Sequence, residues 1–432
     1  MALLLRLACG IIPASEEGLE RDRSLSSATT LADEAGRAQS WVDPACGADC
    51  VSKCDSVKHS FALSITERTG RSMPYWRHRS AGASLSSPDA SVTTAVIVMA
   101  GLERSASDYA CATHDGLRKR LGTDAALRKV LLVAPAVLYP EDSPAPNELY
   151  WEENGRWLDG ENSSLTGHHR SHGHHHHHDI APPAASLSLF SVLDEMVLAL
   201  MDKGSYPKLT SVIVIGHSAG GQAVQRYALT SALVPIRAGV AISYIVANPG
   251  SVTYPDRRRP ELIDRGHLCD PAKLLGHTWT FEVPFPSMMH EMGCAWHQHF
   301  NDWPDGLELH RNNTPPYAES RPIADMRLSF IEKTVTYLSG AKDVCPCIES
   351  VDGTNCTGHD KDCHLEGSCH MEVVHAFAQR MQLMHEQMAA DGTCKSCKGR
   401  PPSHNLVSVP EVGHDGCGMF TADETLDAMF PL

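Results

Sequence analysis

Short runs of branched apolar residues alternate along the chain with segments of helical periodicity. The apolar runs predict strands, and the segments between them have the 3.6-residue repeat of amphipathic helices. Strands are predicted at 92–100, 129–135, 211–215, 240–247, 334–338 and 405–409, and helices at 108–121, 188–202, 221–229, 323–333, 372–388 and 423–429. Alternating strands and helices predict an α/β fold, with a mostly parallel central sheet and helices on both faces.

Three polar or aromatic stretches interrupt this alternation and are predicted to be insertions. The first, 139–184, contains a histidine-rich run, and the second, 251–322, is rich in aromatics and is a candidate lid. The third, 345–397, is rich in cysteine. We therefore expect one domain over 91–432 with these insertions, preceded by a cysteine-containing N-terminal extension over 16–90.

The strand at 211–215 leads into Gly216-His217-Ser218-Ala219-Gly220, and a helical segment follows. In a Gly-x-Ser-x-Gly turn between strand and helix, the serine is held in a strained conformation that exposes its hydroxyl. Side chains at Gly216 and Gly220 would collide with the neighbouring strand and helix. Ser218 is the candidate nucleophile, and the alternative is a tight turn whose serine only caps the helix.

A serine hydroxyl needs a base to take its proton, and the base needs an acidic partner. In the strand–turn–helix setting these partners follow in the order Ser, Asp/Glu, His. His414 follows the strand at 405–409, and Asp343 follows the strand at 334–338. His414 is therefore the candidate base, and Asp343 is favoured as the acid that orients it. The competing carboxylates, in a stretch with no preceding strand, are Asp352, Asp360 and Asp362.

Two backbone amides are candidates for an oxyanion hole. One is the N–H of Ala219, directly after the nucleophile, and the other should come from the loop after an earlier strand. Gly101 and Leu102 follow the strand at 92–100, so the N–H of Leu102 is the second candidate.

Taken together, these motifs resemble the α/β-hydrolases in their order and setting. The resemblance spans roughly residues 92 to 420 and implies an α/β-hydrolase fold with a Ser-Asp-His triad. The cysteine content, the histidine run and the long insert after Asp343 depart from a plain hydrolase. Further segments are similar to a poorly characterised, serine esterase- or lipase-like subgroup: 247–251, 257–260 and 301–307.

Composition limits the cellular compartments and the classes of binding partner that we expect for this protein. The net charge of −15 argues against a nucleic-acid partner, and no run of 18 apolar residues predicts a transmembrane helix. Fifteen cysteines and three glycosylation sequons suggest disulfides and a secreted protein or another oxidising compartment. Residues 1–15 form a candidate signal peptide, although Arg6 interrupts its apolar run.

Metal sites are the alternative use of the cysteines and histidines. Clustered imidazoles at 167–178 could bind a transition metal, but a low-complexity surface loop is the simpler interpretation. Cys394-x-x-Cys397 has zinc-ligand spacing, but a second such pair is missing, so disulfides are favoured over 345–397. We expect no cofactor and no resident metal.

The combined prediction is a serine hydrolase that cleaves a carboxylic ester, small or lipid-like, through an acyl-enzyme. Two alternatives remain open: a peptidase or amidase with the same triad, and a non-catalytic binding domain on this fold. Acyl and alcohol specificity and the oligomeric state do not follow from the sequence.

Overall fold

The structure of the protein is a computed structural model. It contains the alternating strands and helices that the apolar runs predict. It describes residues 50–63, 70–79, 84–85, 87–152, 156–164, 186–233, 237–261, 267–284, 300–308, 314–344, 366–367 and 369–431. The candidate signal peptide, the histidine run and residues 345–365 and 368 of the cysteine-rich insert lie outside these residues. No helix within them is both long and apolar enough to cross a membrane.

Ten strands and ten α-helices are assigned in the described residues. The strands are β1 (Ser56–Ala62), β2 (Ser72–His78), β3 (Thr94–Met99), β4 (Val130–Pro135), β5 (Ser211–His217), β6 (Ala241–Ala247), β7 (Arg259–Pro260), β8 (Phe281–Glu282), β9 (Thr334–Gly340) and β10 (His404–Val409). The helices are α1 (Ala106–Leu121), α2 (Asp124–Leu127), α3 (Leu189–Met201), α4 (Ala219–Thr230), α5 (Pro271–Leu274), α6 (Pro316–Glu319), α7 (Ile323–Glu332), α8 (His370–Ala390), α9 (Gly416–Thr421) and α10 (Asp423–Met429).

Eight of these strands form one sheet in the order β1-β2-β4-β3-β5-β6-β9-β10. β2 is antiparallel to both β1 and β4, and the remaining pairs are parallel. This strand order, with a parallel centre and an antiparallel second strand, is that of the α/β-hydrolase fold. It confirms the predicted fold class and adds β1 and β2, from the predicted N-terminal extension, to the sheet.

Both faces of the sheet are covered by helices because the central strands are apolar on both sides. Successive strand side chains point to opposite faces. Val212 and Val214 of β5 accordingly pack in one core cluster, with side chains of α3, α4 and α8. Ile213 and Ile215 pack in the other, with side chains of α1, α9 and α10.

The parallel order brings three loops to one edge of the sheet. The carboxyl ends of β5, β9 and β10 lie side by side with that of β6 between β5 and β9. Ligand sites of open α/β sheets lie at this edge. The turn after β5, the loop after β9 and the loop after β10 carry the three candidate catalytic side chains.

The described part of the aromatic insert is packed onto the domain through buried polar contacts. The indole N–H of Trp303 donates to the carbonyl of Asp159 at 3.0 Å. The buried guanidinium of Arg259 donates to the carbonyls of Phe300 and Asp305. These contacts fit a small packed subdomain, and a lid role over Ser218 stays a prediction.

Candidate active site

Ser218 lies in the turn between β5 and α4, with a backbone φ of +55° and ψ of −122°. Such a conformation is unfavourable for a residue with a side chain, and it costs of order 1–3 kcal/mol. A Cβ at Gly216 would lie 2.2 Å from the carbonyl oxygen of Gly220, and one at Gly220 would lie 2.4 Å from that of Ala100. No side chain fits at either position, as the sequence analysis predicted for the two glycines of the motif.

The imidazole of His414 lies between Ser218 and Asp343. Its Nε2 is 2.9 Å from the hydroxyl oxygen of Ser218, and its Nδ1 is 2.8 Å from Oδ2 of Asp343. The Asp343 side chain is fully buried, and that of His414 is 12% exposed. The structure thus brings together the three side chains that the sequence singled out. The competing carboxylates at 352, 360 and 362 lie outside the described residues.

Asn248, directly after β6, joins the loops that carry the acid and the base. Its buried side chain accepts a hydrogen bond from the N–H of Gly340 at 2.8 Å and donates one to the carbonyl of Gly413 at 2.9 Å. Gly340 lies against the second loop so closely that a Cβ there would be 2.7 Å from the carbonyl oxygen of Val412. The relative position of Asp343 and His414 is therefore set by one amide side chain as well as by the sheet.

The two candidate oxyanion donors lie next to the nucleophile turn. Ala219 is the first residue of α4, and the first N–H groups of a helix have no partner inside it. Leu102 follows β3 in a turn closed by the N–H of Arg104 and the carbonyl of Gly101. Because Gly220 lies against the backbone of Met99 and Ala100, this turn begins beside Ser218. The oxyanion role of Leu102 and Ala219 stays a prediction.

Arg104 holds the loop of Leu102 to the following segment of the chain. Its guanidinium lies 3.6 Å from the centre of the Tyr139 ring and pairs with the carboxylates of Glu141 and Asp142. The backbone of Arg104 has a φ of +60°, so the loop turns sharply here. β3 lies between β4 and β5 in the sheet. These contacts hold the loop after β3 to the segment that follows β4, on the side away from β5 and Ser218.

His370, the first residue of α8, lies in the site although the sequence did not single it out as a site residue. Its Nδ1 lies 3.2 Å from Oδ1 of Asp343 and 3.1 Å from Nδ1 of His414. The two imidazoles thus approach the two oxygens of one carboxylate. The sequence showed His370 only as one of several histidines among the cysteines, and no spacing distinguished it.

The buried carboxyl group of Asp343 is ionised because of these two neighbours. Burial alone would raise its pKa, but the hydrogen bonds and charges of His370 and His414 outweigh that effect and hold the pKa below its usual value. An ionised Asp343 accepts from the Nδ1–H of His414. With its proton on Nδ1, a neutral imidazole in this position would present the lone pair of Nε2 to the hydroxyl of Ser218, as a general base requires.

A third imidazole, that of His217, lies behind His414. The ring centres of His217 and His414 are 4.8 Å apart, and the Nδ1 of His217 is 2.9 Å from the hydroxyl of Tyr109. Burial, and then the proximity of His414, lowers the pKa of His217 well below its usual value. His217 is therefore neutral and adds no positive charge beneath the serine.

Disulfides lie immediately beside two of the site histidines. Cys417, three residues after His414, is bonded to Cys50, and Cys369, adjacent to His370, is bonded to Cys269. Cys54–Cys111 and Cys394–Cys397 are also bonded. Disulfides are thus formed where they were favoured over zinc, including the Cys-x-x-Cys pair. The insert's cysteines at 345, 347, 356 and 363 lie outside the described residues.

Comparisons with known proteins found similarity only among solved structures. No protein-family model matched the chain, and neither did any curated protein. A poly(3-hydroxybutyrate) depolymerase, LpqC from Bordetella parapertussis, has 16% identity and a TM-score of 0.45, over 85% of this chain and 87% of that one. Poly(aspartic acid) hydrolase-1 from Sphingomonas sp. KT-1 has 15% identity and a TM-score of 0.43, over 88% and 98%. Siderophore hydrolase EstA from Aspergillus nidulans has 11% identity and a TM-score of 0.35, over 87% and 94%.

Proposed function

We propose that this chain, which has the α/β-hydrolase fold, is a serine hydrolase that cleaves carboxylic esters through an acyl-enzyme. One observation carries the proposal: the line of contacts from Ser218 through His414 to Asp343, at 2.9 and 2.8 Å. The serine is held at the tip of a strained turn, and the acid that faces the base is buried and ionised. A nucleophile, a base and an orienting acid are the groups that acyl transfer requires.

In the proposed mechanism, Nε2 of His414 takes the hydroxyl proton of Ser218 as its oxygen attacks the ester carbonyl carbon. The carbonyl oxygen becomes an oxyanion, which the N–H groups of Ala219 and Leu102 stabilise. When the tetrahedral intermediate collapses, the C–O bond to the alcohol breaks and His414 gives its proton to the leaving oxygen. Water then repeats these steps on the acyl-enzyme and releases the acid, while Asp343 stabilises the imidazolium and keeps its own charge.

Two alternative functions use the same residues differently. A peptidase or amidase would have the same triad but would protonate a leaving amine. A non-catalytic binding domain would retain the fold without needing the serine. The complete, hydrogen-bonded set of three side chains favours an enzyme over a binding domain, and esters, with their better leaving group, are the substrates proposed first.

We also propose that the protein is made in an oxidising compartment and is secreted. The support is the four bonded cysteine pairs among the described residues, since disulfides persist in oxidising environments and are rare in the cytosol. Of the three glycosylation sequons, the one at Asn162 falls within the described residues, and Asn162 is exposed. The candidate signal peptide over 1–15 is part of this proposal.

A panel of p-nitrophenyl esters from acetyl to palmitoyl, with an acyl p-nitroanilide, tests the proposal. Turnover of at least one ester by the wild-type chain, lost in folded Ser218→Ala, is the expected result. The ester of highest kcat/KM identifies the acyl length, and preference for the anilide would favour the amidase alternative. A folded wild-type protein without turnover of any of these compounds would favour a binding domain.

A further inference from the structure

We propose that Asp343, His370 and His414 together form an inhibitory Zn²⁺ site, so that one metal ion binds the acid and the base of the proposed triad. The ligand atoms are one carboxylate oxygen and the two Nδ1 atoms. The inhibition rests on the proposed function, whereas the binding itself does not. Zinc sites with three protein ligands of His and carboxylate type, and an open fourth position, are common in proteins.

The distances between the three donor atoms are close to those of a zinc site. Nδ1 of His370 and Nδ1 of His414 are 3.1 Å apart, and they lie 3.2 Å from Oδ1 and 2.8 Å from Oδ2 of Asp343, respectively. The two nitrogens and a single carboxylate oxygen all lie within 4.8 Å of one another. Zn–N and Zn–O bonds of about 2.0–2.1 Å in a tetrahedron separate adjacent ligand atoms by about 3.3 Å. A rotation of the carboxylate that turns one oxygen towards both imidazoles, with small shifts of the rings, would therefore bring the three donors to ligand distance.

Burial and charge also favour a cation at this position. The Asp343 side chain is fully buried, whereas the His370 and His414 side chains are 15% and 12% exposed. A divalent cation held by the two partly exposed imidazoles would compensate the buried negative charge.

Metal binding would abolish base catalysis by changing the tautomer of His414. In the metal-free arrangement the proton of neutral His414 is on Nδ1, and the lone pair of Nε2 faces Ser218. A metal on Nδ1 binds through a lone pair on Nδ1, so the proton of the neutral ring must leave Nδ1 and be carried on Nε2 instead. Nε2 then donates to the serine oxygen and cannot take its proton.

The histidine run must be removed as a competing metal ligand before this site is tested. The background is the full-length chain carrying Ser218→Ala, which lacks turnover by design, and asparagine at the histidines of the run: His168, His169, His172, His174, His175, His176, His177 and His178. In this background, ZnCl₂ is titrated by calorimetry. His370→Gln is compared with His59→Gln, a control on β1 at the far edge of the sheet.

We expect one zinc equivalent to bind the background and the His59→Gln control alike. His370→Gln should weaken the binding at least about 10-fold, since even partners of metal ligands contribute 10–100-fold to affinity. Unchanged affinity in folded His370→Gln, or no binding in the background, would overturn the proposal. Should His370→Gln not fold, Co²⁺ replaces the variant test: a tetrahedral absorption spectrum displaced by one Zn²⁺ supports the site, and an octahedral one contradicts it.

Inhibition is then measured with Ser218 restored and the histidine run still replaced. Zn²⁺ should inhibit ester hydrolysis, EDTA should reverse the inhibition, and His370→Gln should shift the inhibitory concentration upward at least about 10-fold. Zinc binding without any ester turnover would mean that the proposed function fails and the metal site stands. Ester turnover whose inhibition by zinc does not depend on His370 would mean that the proposed function stands and the metal site fails.

Discussion

At the scale of single residues, the account depends most on Asp343 as the acid. Its placement after β9 was predicted because a strand and a glycine turn precede it, and the structure places its carboxylate 2.8 Å from His414. The competing carboxylates were disfavoured by the same reasoning. His370 could not be predicted, because its position results from the packing of α8 and from the bond between Cys369 and Cys269.

Asp343→Asn should lower kcat by roughly 10⁴, because an amide can donate to Nδ1 and stabilise the wrong imidazole tautomer. Steady-state kinetics on the best ester of the panel measures this effect. The matched control is Asp415→Asn, next to His414, because its carboxylate caps α9 through the N–H of Cys417 and asparagine is an equally good cap. A small loss at Asp343, with a large one at Asp352 or Asp360, would move the acid to the insert.

At the scale of elements, six strands, β3 to β6, β9 and β10, were predicted to within a few residues because their apolar runs are bounded by polar or glycine turns. The bounds of β1, β2, β7 and β8 were not predicted. The helix expected at 372–388 is in fact His370–Ala390, two residues longer at each end, and the added residues at its N-terminus include His370. Helix ends depend on tertiary contacts that periodicity does not contain. The link between the two catalytic loops through Asn248 also has no sequence signature, since it depends on the spacing of β6, β9 and β10.

Asn248→Ala should lower kcat by about 10–10², because displacements near 1 Å in a catalytic site cost up to 10²-fold. The unfolding free energy should fall by about 1–3 kcal/mol, since the N–H of Gly340 and the carbonyl of Gly413 lose a buried partner. Kinetics and urea unfolding measure the two effects. Asn405→Ala on β10, where the side chain is exposed, is the control. Wild-type kcat in Asn248→Ala would show that the sheet alone positions the loops.

The pairing of β9 with β10 should depend on pH through His404. This buried imidazole donates from Nε2 to the carbonyl of Phe330 and accepts at Nδ1 from the hydroxyl of Tyr337, both at 2.8 Å, so its neutral form is favoured. Burial lowers its pKa from 6.5 to about 4. Between these values the unfolded chain binds more protons, so the contribution is complete above pH 6.5 and is lost as the pH falls towards 4.

The expected loss across that interval is on the order of 3 kcal/mol of unfolding free energy. His404→Gln should make the pH dependence from 6.5 to 4 shallower, as measured by urea unfolding at several pH values. It should not abolish the dependence, because burial also lowers the pKa of His375 to about 4. An unchanged slope in the variant would mean that His404 is protonated in the folded state.

At the scale of the whole molecule, the Cys50–Cys417 disulfide joins the segment before β1 to α9, across 367 residues of sequence. The cysteine count predicted bridges, but the partners could not be predicted, because connectivity depends on which segments the fold brings together. The bridge lies three residues from His414 and thus restrains the loop of the proposed base.

Replacing both Cys50 and Cys417 with serine should lower the unfolding free energy by about 4 kcal/mol, within the range for bridges that close long loops. The Cys394–Cys397 bridge spans three residues, so its double serine variant should lose less and is the matched control. Chemical denaturation of the two variants measures which one loses more unfolding free energy. Equal losses would contradict a contribution from loop closure.

The most direct test of the central claim is labelling with a fluorophosphonate followed by peptide mass spectrometry. An activated serine forms a stable phosphonyl adduct, whereas an ordinary surface serine does not. We predict one adduct per chain, on the peptide that contains Ser218, with none in folded Ser218→Ala and much slower formation in Asp343→Asn. An unlabelled but folded wild-type protein, or an adduct on another serine, would contradict the proposal that Ser218 is an activated nucleophile.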